Sequence, residues 1–156
     1  MLSPEEFTVG DVGTARPLSL LLPISKYDEA MLIGELEGVA VAVLLSGDQK
    51  SCLIECEGND SWKGLIVPDV RVEVDESSLV DVNVYNPPSL AVVRTGTRLA
   101  IRATREKWIQ SRQLVTLHEG LVPAGELQAT FARWQVVVGV GDTRRVLWSR
   151  REDEDS

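Results

Sequence analysis

Hydrophobic residues along this chain recur mostly with period 2. Val70-Arg71-Val72-Glu73-Val74 alternates strictly, and after Asp75-Glu76-Ser77-Ser78 the segment Val80-Asp81-Val82-Asn83-Val84 alternates back. Alternation of this kind predicts two half-buried strands joined by a turn. The valines would line one face, with Arg71, Glu73, Asp81 and Asn83 on the other.

Other strands announce themselves as short apolar runs between turn signals. Leu18–Ile24 is framed by Pro17 and Pro23, which suits a buried or edge strand. Ser25–Leu36 is ambiguous: Ser25 and Asp28 suit a helix cap, while Gly34 and Gly38 weaken a helix. The pattern favours a strand from Met31 that continues through Val39–Leu44, then a turn at Ser46-Gly47-Asp48 and a return strand at Ser51–Glu57. Leu90–Val93 and Leu99–Ala103 form a hairpin around Arg94–Thr97. Thr104–Leu117 reads as a short helix followed by a strand, and Leu127–Val140 as one long β stretch. Gly141-Asp142-Thr143 is a turn before a last strand, Arg145–Ser149. At the N-terminus, Ser3-Pro4-Glu5-Glu6 carries a capping box with Pro at the first helical position, and Gly10 ends any helix early.

Turn signals every 8–12 residues predict about nine or ten short strands in an antiparallel barrel or sandwich, with a short N-terminal helix. No βαβ alternation appears, which argues against a Rossmann-like fold. At 156 residues the expectation is one β-rich domain over 1–151, followed by a disordered acidic tail at 152–156. A boundary near Asn86-Pro87-Pro88 would leave halves too small to be preferred.

Charge adds an asymmetry. Residues 1–93 hold five Lys/Arg against sixteen Asp/Glu, a net −11, while residues 94–151 hold eleven against four, a net +7. The tail adds −4, giving −8 overall. A net negative chain is poorly suited to broad binding of nucleic acid or membrane surfaces, though not to a local basic site. The longest apolar stretch, Val39–Leu45, is far short of the ~20 residues of a membrane helix, and the N-terminus lacks the pattern of a signal peptide. The expected location is the cytoplasm, with no membrane partner.

Few residues suggest chemistry. Cys52 and Cys56 share a strand face but stand ~13 Å apart, too far to bridge or to bind one metal, so they read as small buried hydrophobes. With a single histidine, His118, no metal site or cofactor is expected. His118 is the one candidate for an unfamiliar enzymatic site, and no Gly-x-Ser-x-Gly or His-Glu-x-x-His motif supports it. Paired acids such as Glu35/Glu37 and Glu55/Glu57 read as the solvated face of a sheet.

The basic segment is denser. Arg94, Arg98, Arg102, Arg105, Lys107 and Arg112 fall close together beside Trp108, with Glu106 as the only acid among them. Arginines interleaved with aromatic rings can hold phosphates and stacked bases. Trp134 and Trp148 also stand near basic residues, with core packing as the alternative. Arg94-x-x-x-Arg98 and Asn59-Asp60-Ser61-Trp62-Lys63-Gly64 each resemble one short element of the PilZ family of cyclic-dinucleotide barrels. They stand here in the reverse order and cover about ten residues, so no membership follows.

The favoured expectation is a non-catalytic binding or assembly protein of bacterial type, such as an immunity or antitoxin-like inhibitor, or an accessory or structural subunit. It would act through a protein partner or self-association, a homodimer included. Its acidic face, Glu73, Asp75, Glu76 and Asp81, would steer a basic partner. The alternative is a barrel binding a nucleotide or short nucleic acid through Arg94–Arg112. The bland outcome is that this basic cluster and the acidic hairpin neutralise each other.

Overall fold

The fold is described from a computed structural model. It covers residues 2–24, 30–47, 50–80, 90–95, 98–104, 112–117 and 128–150. Ser3-Pro4-Glu5-Glu6 forms a single 3-10 turn over Pro4–Glu6. The Glu6 carboxylate accepts from the Ser3 N–H (2.6 Å) and hydroxyl (3.0 Å), as the capping box requires.

Strands follow as β1 (Thr8–Asp11), β2 (Leu20–Pro23), β3 (Met31–Leu36), β4 (Val39–Leu44), β5 (Leu53–Glu55), β6 (Lys63–Val67) and β7 (Arg71–Val74). The second half adds β8 (Val92–Thr95), β9 (Arg98–Thr104), β10 (Arg112–Thr116), β11 (Gln128–Phe131), β12 (Trp134–Val138) and β13 (Arg145–Arg150). Every pairing among the described residues is antiparallel. Ten strands make one sheet in the order β1-β6-β2-β3-β10-β9-β8-β11, with β4 and β5 branching from β3. Three make a second sheet, β13-β12-β7. Among the described residues the larger sheet does not close into a barrel. No helix among the described residues is long and apolar enough to cross a membrane.

Burial explains why strands in the two halves look different in sequence. Leu20, Leu32, Val41, Val43 and Val67 share one core with Val92, Ile101 and Val115, and with Trp134, Val136 and Val138 of the smaller sheet. The intervening residues Leu21, Met31, Ile33, Ala42, Leu44 and Ile66 enter a second core on the opposite face, with Val12 and Cys56. Strands β2, β3, β4 and β6 are therefore buried on both faces and read as continuous apolar runs. β7 keeps alternation because only its valines turn inward. At 25 cal/mol per Å², a fully buried Leu or Val contributes about 1.5–3 kcal/mol, so these two cores dominate stability.

Three expectations need correction. Met31–Leu44 is not one strand: it folds back at Glu37-Gly38, with φ of +54° and +82° and Leu36 opposite Val39. Two consecutive positive φ values make the type I′ turn that suits strand twist, and a Glu in the first position hides it. Leu127–Val140 is not one strand either: Ala132-Arg133 breaks it, and β11 and β12 join different sheets. Among the described residues alone the strands number thirteen rather than nine or ten. β7 pairs with β12, and after the 3-10 turn Glu76–Ser78 Leu79 stands opposite Phe131, with the Val80 N–H on the Thr130 carbonyl. The returning strand expected at 80–84 lies largely outside the described residues, as does the boundary at 86–88.

The Asn59–Gly64 loop has structural explanations. The Asn59 side chain accepts from the Ser61 N–H at 3.1 Å. Gly64 pairs with both Gly10 and Pro23, and a Cβ there would stand 2.1 Å from the Leu22 carbonyl oxygen. Cys56 is buried, and desolvation pushes its thiol up to about 11. Neither cysteine is in a disulfide.

Candidate functional site

Alternation along β7 puts Arg71 and Glu73 on the side of the smaller sheet away from the shared core, and Asp75 continues that row. Glu73 stands directly opposite Gln135, which donates from Nε2 to Oε1 at 3.3 Å. Arg144 donates to both oxygens of Glu73, from Nη2 at 2.5 Å and Nε at 3.4 Å. This fork fits a carboxylate in two places at once.

The turn between β12 and β13 delivers that arginine. Gly139 has φ +77°, and a Cβ on it would stand 2.3 Å from the Thr143 carbonyl oxygen, so only glycine fits. Thr143 bonds back to Val140 through its hydroxyl, at 2.7 Å to the carbonyl and 3.2 Å from the N–H. Arg71 Nη2 secures the turn by donating to the Gly139 carbonyl at 2.5 Å. Arg145, next along, pairs with Glu6 at the far end of the sequence.

Asp75 caps the following 3-10 turn. Its Oδ1 accepts from the Ser77 N–H at 3.0 Å and hydroxyl at 2.6 Å, and its Oδ2 lies 3.1 Å from Arg133 Nε. Arg133 also donates to Ser77 Oγ at 2.9 Å. These partners hold the carboxylates below their ordinary range. For Glu73 the first cause is the Arg144 hydrogen bond; for Asp75 it is the Ser77 hydroxyl. Arg144 is pushed up in turn by Glu73.

A cleft of about 310 Å³ opens between these groups, lined by Glu73, Asp75, Arg133, Gln135, Ser149 and Arg150. A second hollow of about 680 Å³ lies beside Arg16, Leu18, Ser19 and Asp69. Leu18 and Asp69 both hold positive φ there, at +61° and +55°.

The acidic residues expected to face a partner thus come together in part. Glu73 and Asp75 share one surface and are engaged by arginines of the basic half, and Glu76 is exposed beside them. Asp81 lies outside the described residues. Among the described residues, the arginines that pair with Glu73 and Asp75 are Arg144 and Arg133. Reasoning from sequence missed Arg133, Arg144, Arg145, Gln135 and Glu6. The Gly141–Thr143 turn signal was the one clue that the arginines following it would be aimed across the sheet.

The basic cluster is divided. Arg94 stands opposite Leu99, while Thr95 stands opposite Arg98. Strand alternation then puts positions 98 and 102 on one face of the hairpin and Arg94 on the other. Arg112 is the first residue of β10, opposite Thr104. Arg105, Lys107, Trp108 and His118 lie outside the described residues. Trp134 and Trp148 belong to the core between the sheets. Their rings lie 4.8 Å apart at 53°, and Trp134 Nε1 donates to the Leu90 carbonyl at 2.6 Å.

Among known proteins, no solved structure matches this chain. A family model described as "Uncharacterised protein y4lG" matches residues 9–156. The chain is 49% identical over 156 residues to an uncharacterized protein y4lG of Sinorhizobium fredii (strain NBRC 101917 / NGR234), covering 100% of this chain and 97% of that protein. On both counts the chain belongs to the y4lG family.

Proposed function

We propose that this is a non-catalytic binding or assembly protein that acts through protein–protein contacts. One observation carries the reading. Six large apolar side chains are exposed among the described residues, and three of them, Val9 (69%), Val140 (70%) and Val146 (45%), lie on β1, in the β12–β13 turn and on β13. Val9 and Val146 sit on β1 and β13, each hydrogen-bonded to one neighbour only among the described residues. Exposed apolar residues on open strand edges mark contact surfaces. We read the two sheets, packed on one core, as sandwich-like rather than barrel-like.

The test is site-specific photo-crosslinking in the host cell. A photoreactive residue at 9, 140 or 146 should give discrete protein adducts, and one at the exposed position Glu57 should not. Adducts that are absent from the valine positions, or equal at Glu57, overturn the proposal.

A further inference from the structure

We propose that the hollow beside Leu18 is a binding site for a short peptide with free ends. It holds about 680 Å³, within the roughly 300–1,000 Å³ of ligand pockets. Arg16-Pro17-Leu18-Ser19 lines it from one segment and Pro68-Asp69 from another. None of the three exposed valines lines it, so the site goes beyond the contact surface proposed above.

The backbone around the hollow is strained. Leu18 and Asp69 each follow a proline and each hold positive φ, at +61° and +55°, where a type II turn ordinarily places glycine. Other residues keep this conformation only where their surroundings enforce it, and such positions gather at ligand sites. Here the enforcement is visible. The Leu18 N–H donates to the Ile33 carbonyl at 2.9 Å, and the Ile33 N–H donates to the Ser19 carbonyl at 2.9 Å. The Val70 N–H donates to the Leu18 carbonyl at 3.1 Å, which ties the two proline turns together. A site held in place before its ligand arrives loses less to ordering on binding.

Three polar side chains at the hollow are unengaged. Ser19 is 3% exposed, yet its hydroxyl has no hydrogen-bond partner among the described residues. A buried hydroxyl left in this way calls for a partner from outside the fold. Arg16 and Asp69 are exposed and enter no ion pair among the described residues. One cation and one anion suit a ligand with an anionic and a cationic end, its carboxylate on Arg16 and its ammonium on Asp69. A phosphate or nucleotide would meet Asp69 as a like charge. The Leu18–Val70 bond limits the Cα separation of Arg16 and Asp69 to roughly 17 Å, a span that a few residues at ~3.5 Å each can cross. Leu18 and the buried Leu117 add apolar surface for aliphatic side chains.

The probe is trileucine, free-ended, N-acetylated or C-amidated, titrated into the full chain by calorimetry. The free-ended peptide should bind with a dissociation constant of about 1 mM or tighter. Acetylation and amidation should each weaken binding about threefold or more. Arg16→Gln should abolish the effect of amidation and keep that of acetylation. Asp69→Asn should do the reverse, and Asn tolerates the left-handed φ, so the fold is kept. Ser19→Ala should weaken binding without lowering the urea midpoint. No binding of the free-ended peptide, equal binding of the capped forms, capping effects that survive the charge substitutions, or undiminished binding by Ser19→Ala overturns the inference. Photo-crosslinking at 9, 140 and 146 reads other positions, so either proposal can fail while the other stands.

Discussion

Replacing Trp134 with Phe tests how the two sheets are joined. Trp134 is 2% exposed on β12, and its Nε1 donates at 2.6 Å to the carbonyl of Leu90, itself 2% exposed and leading into β8. One hydrogen bond therefore ties the smaller sheet to the larger. Phe keeps a ring in the core but removes the donor. Leaving a buried carbonyl unsatisfied costs about 1–3 kcal/mol. The smaller ring also leaves about 40 Å³ unfilled, which adds about 1 kcal/mol at 24 cal/mol per Å³. The expected loss is about 2–4 kcal/mol, a large share of the ~5–15 kcal/mol that typically holds a domain folded.

Urea unfolding followed by far-UV circular dichroism measures it, with Trp148→Phe as the control. Trp148 shares the 4.8 Å ring contact but is only half-buried, so losing that contact alone should cost about 0.5–1.5 kcal/mol. Near-UV circular dichroism should change in both variants. If Trp134→Phe costs no more than Trp148→Phe, the bond to Leu90 is not what joins the sheets, and the reasoning fails.

Further outcomes follow from other residues. Glu37→Asn should raise stability by about 0.5–1 kcal/mol in the same assay, because Asn tolerates the φ of +54° that Glu37 holds in the β3–β4 turn. Gly34→Ala should lower it by about 1–3 kcal/mol, since the added Cβ would stand 2.6 Å from the Thr116 carbonyl oxygen and Val115 Cγ1 on β10. The Glu73 and Asp75 carboxyls are held below their ordinary 4.5 and 3.8, so their contribution is complete above those values. It is lost as pH falls through the lowered folded values, and acid unfolding of Glu73→Gln should be correspondingly shallower than that of the parent. Cys56, buried with its thiol raised to about 11, should resist alkylation at pH 8 until denaturant unfolds the chain, and rapid native labelling would contradict its burial.

Local sequence determined much of the strand map. Period 2 at Val70–Val74, the prolines around Leu18–Ile24 and the Gly141-Asp142-Thr143 turn each act through neighbours a few residues away. A residue's own preferences suffice to mark them. The antiparallel, mainly β class follows from the same signals. Where the local signal was atypical, the reading slipped: Glu37 sits in a left-handed conformation that its side chain does not advertise.

Tertiary structure alone decided which strands pair and which charges meet. Leu127–Val140 is uniformly β in character, and only the demand to fill two sheets sends β11 one way and β12 the other. Apolar runs such as Met31–Ile33 do not reveal that a second core waits on their far side. Asp75 finds Arg133, Glu73 finds Arg144 and Glu6 finds Arg145 across 58, 71 and 139 residues of chain. No spacing rule spans such separations, because these contacts exist only once the cores have set the sheets in place. The charge asymmetry between the halves was legible from sequence. That it is cancelled in part through Arg133, Arg144 and Arg145 is a property of the folded surface.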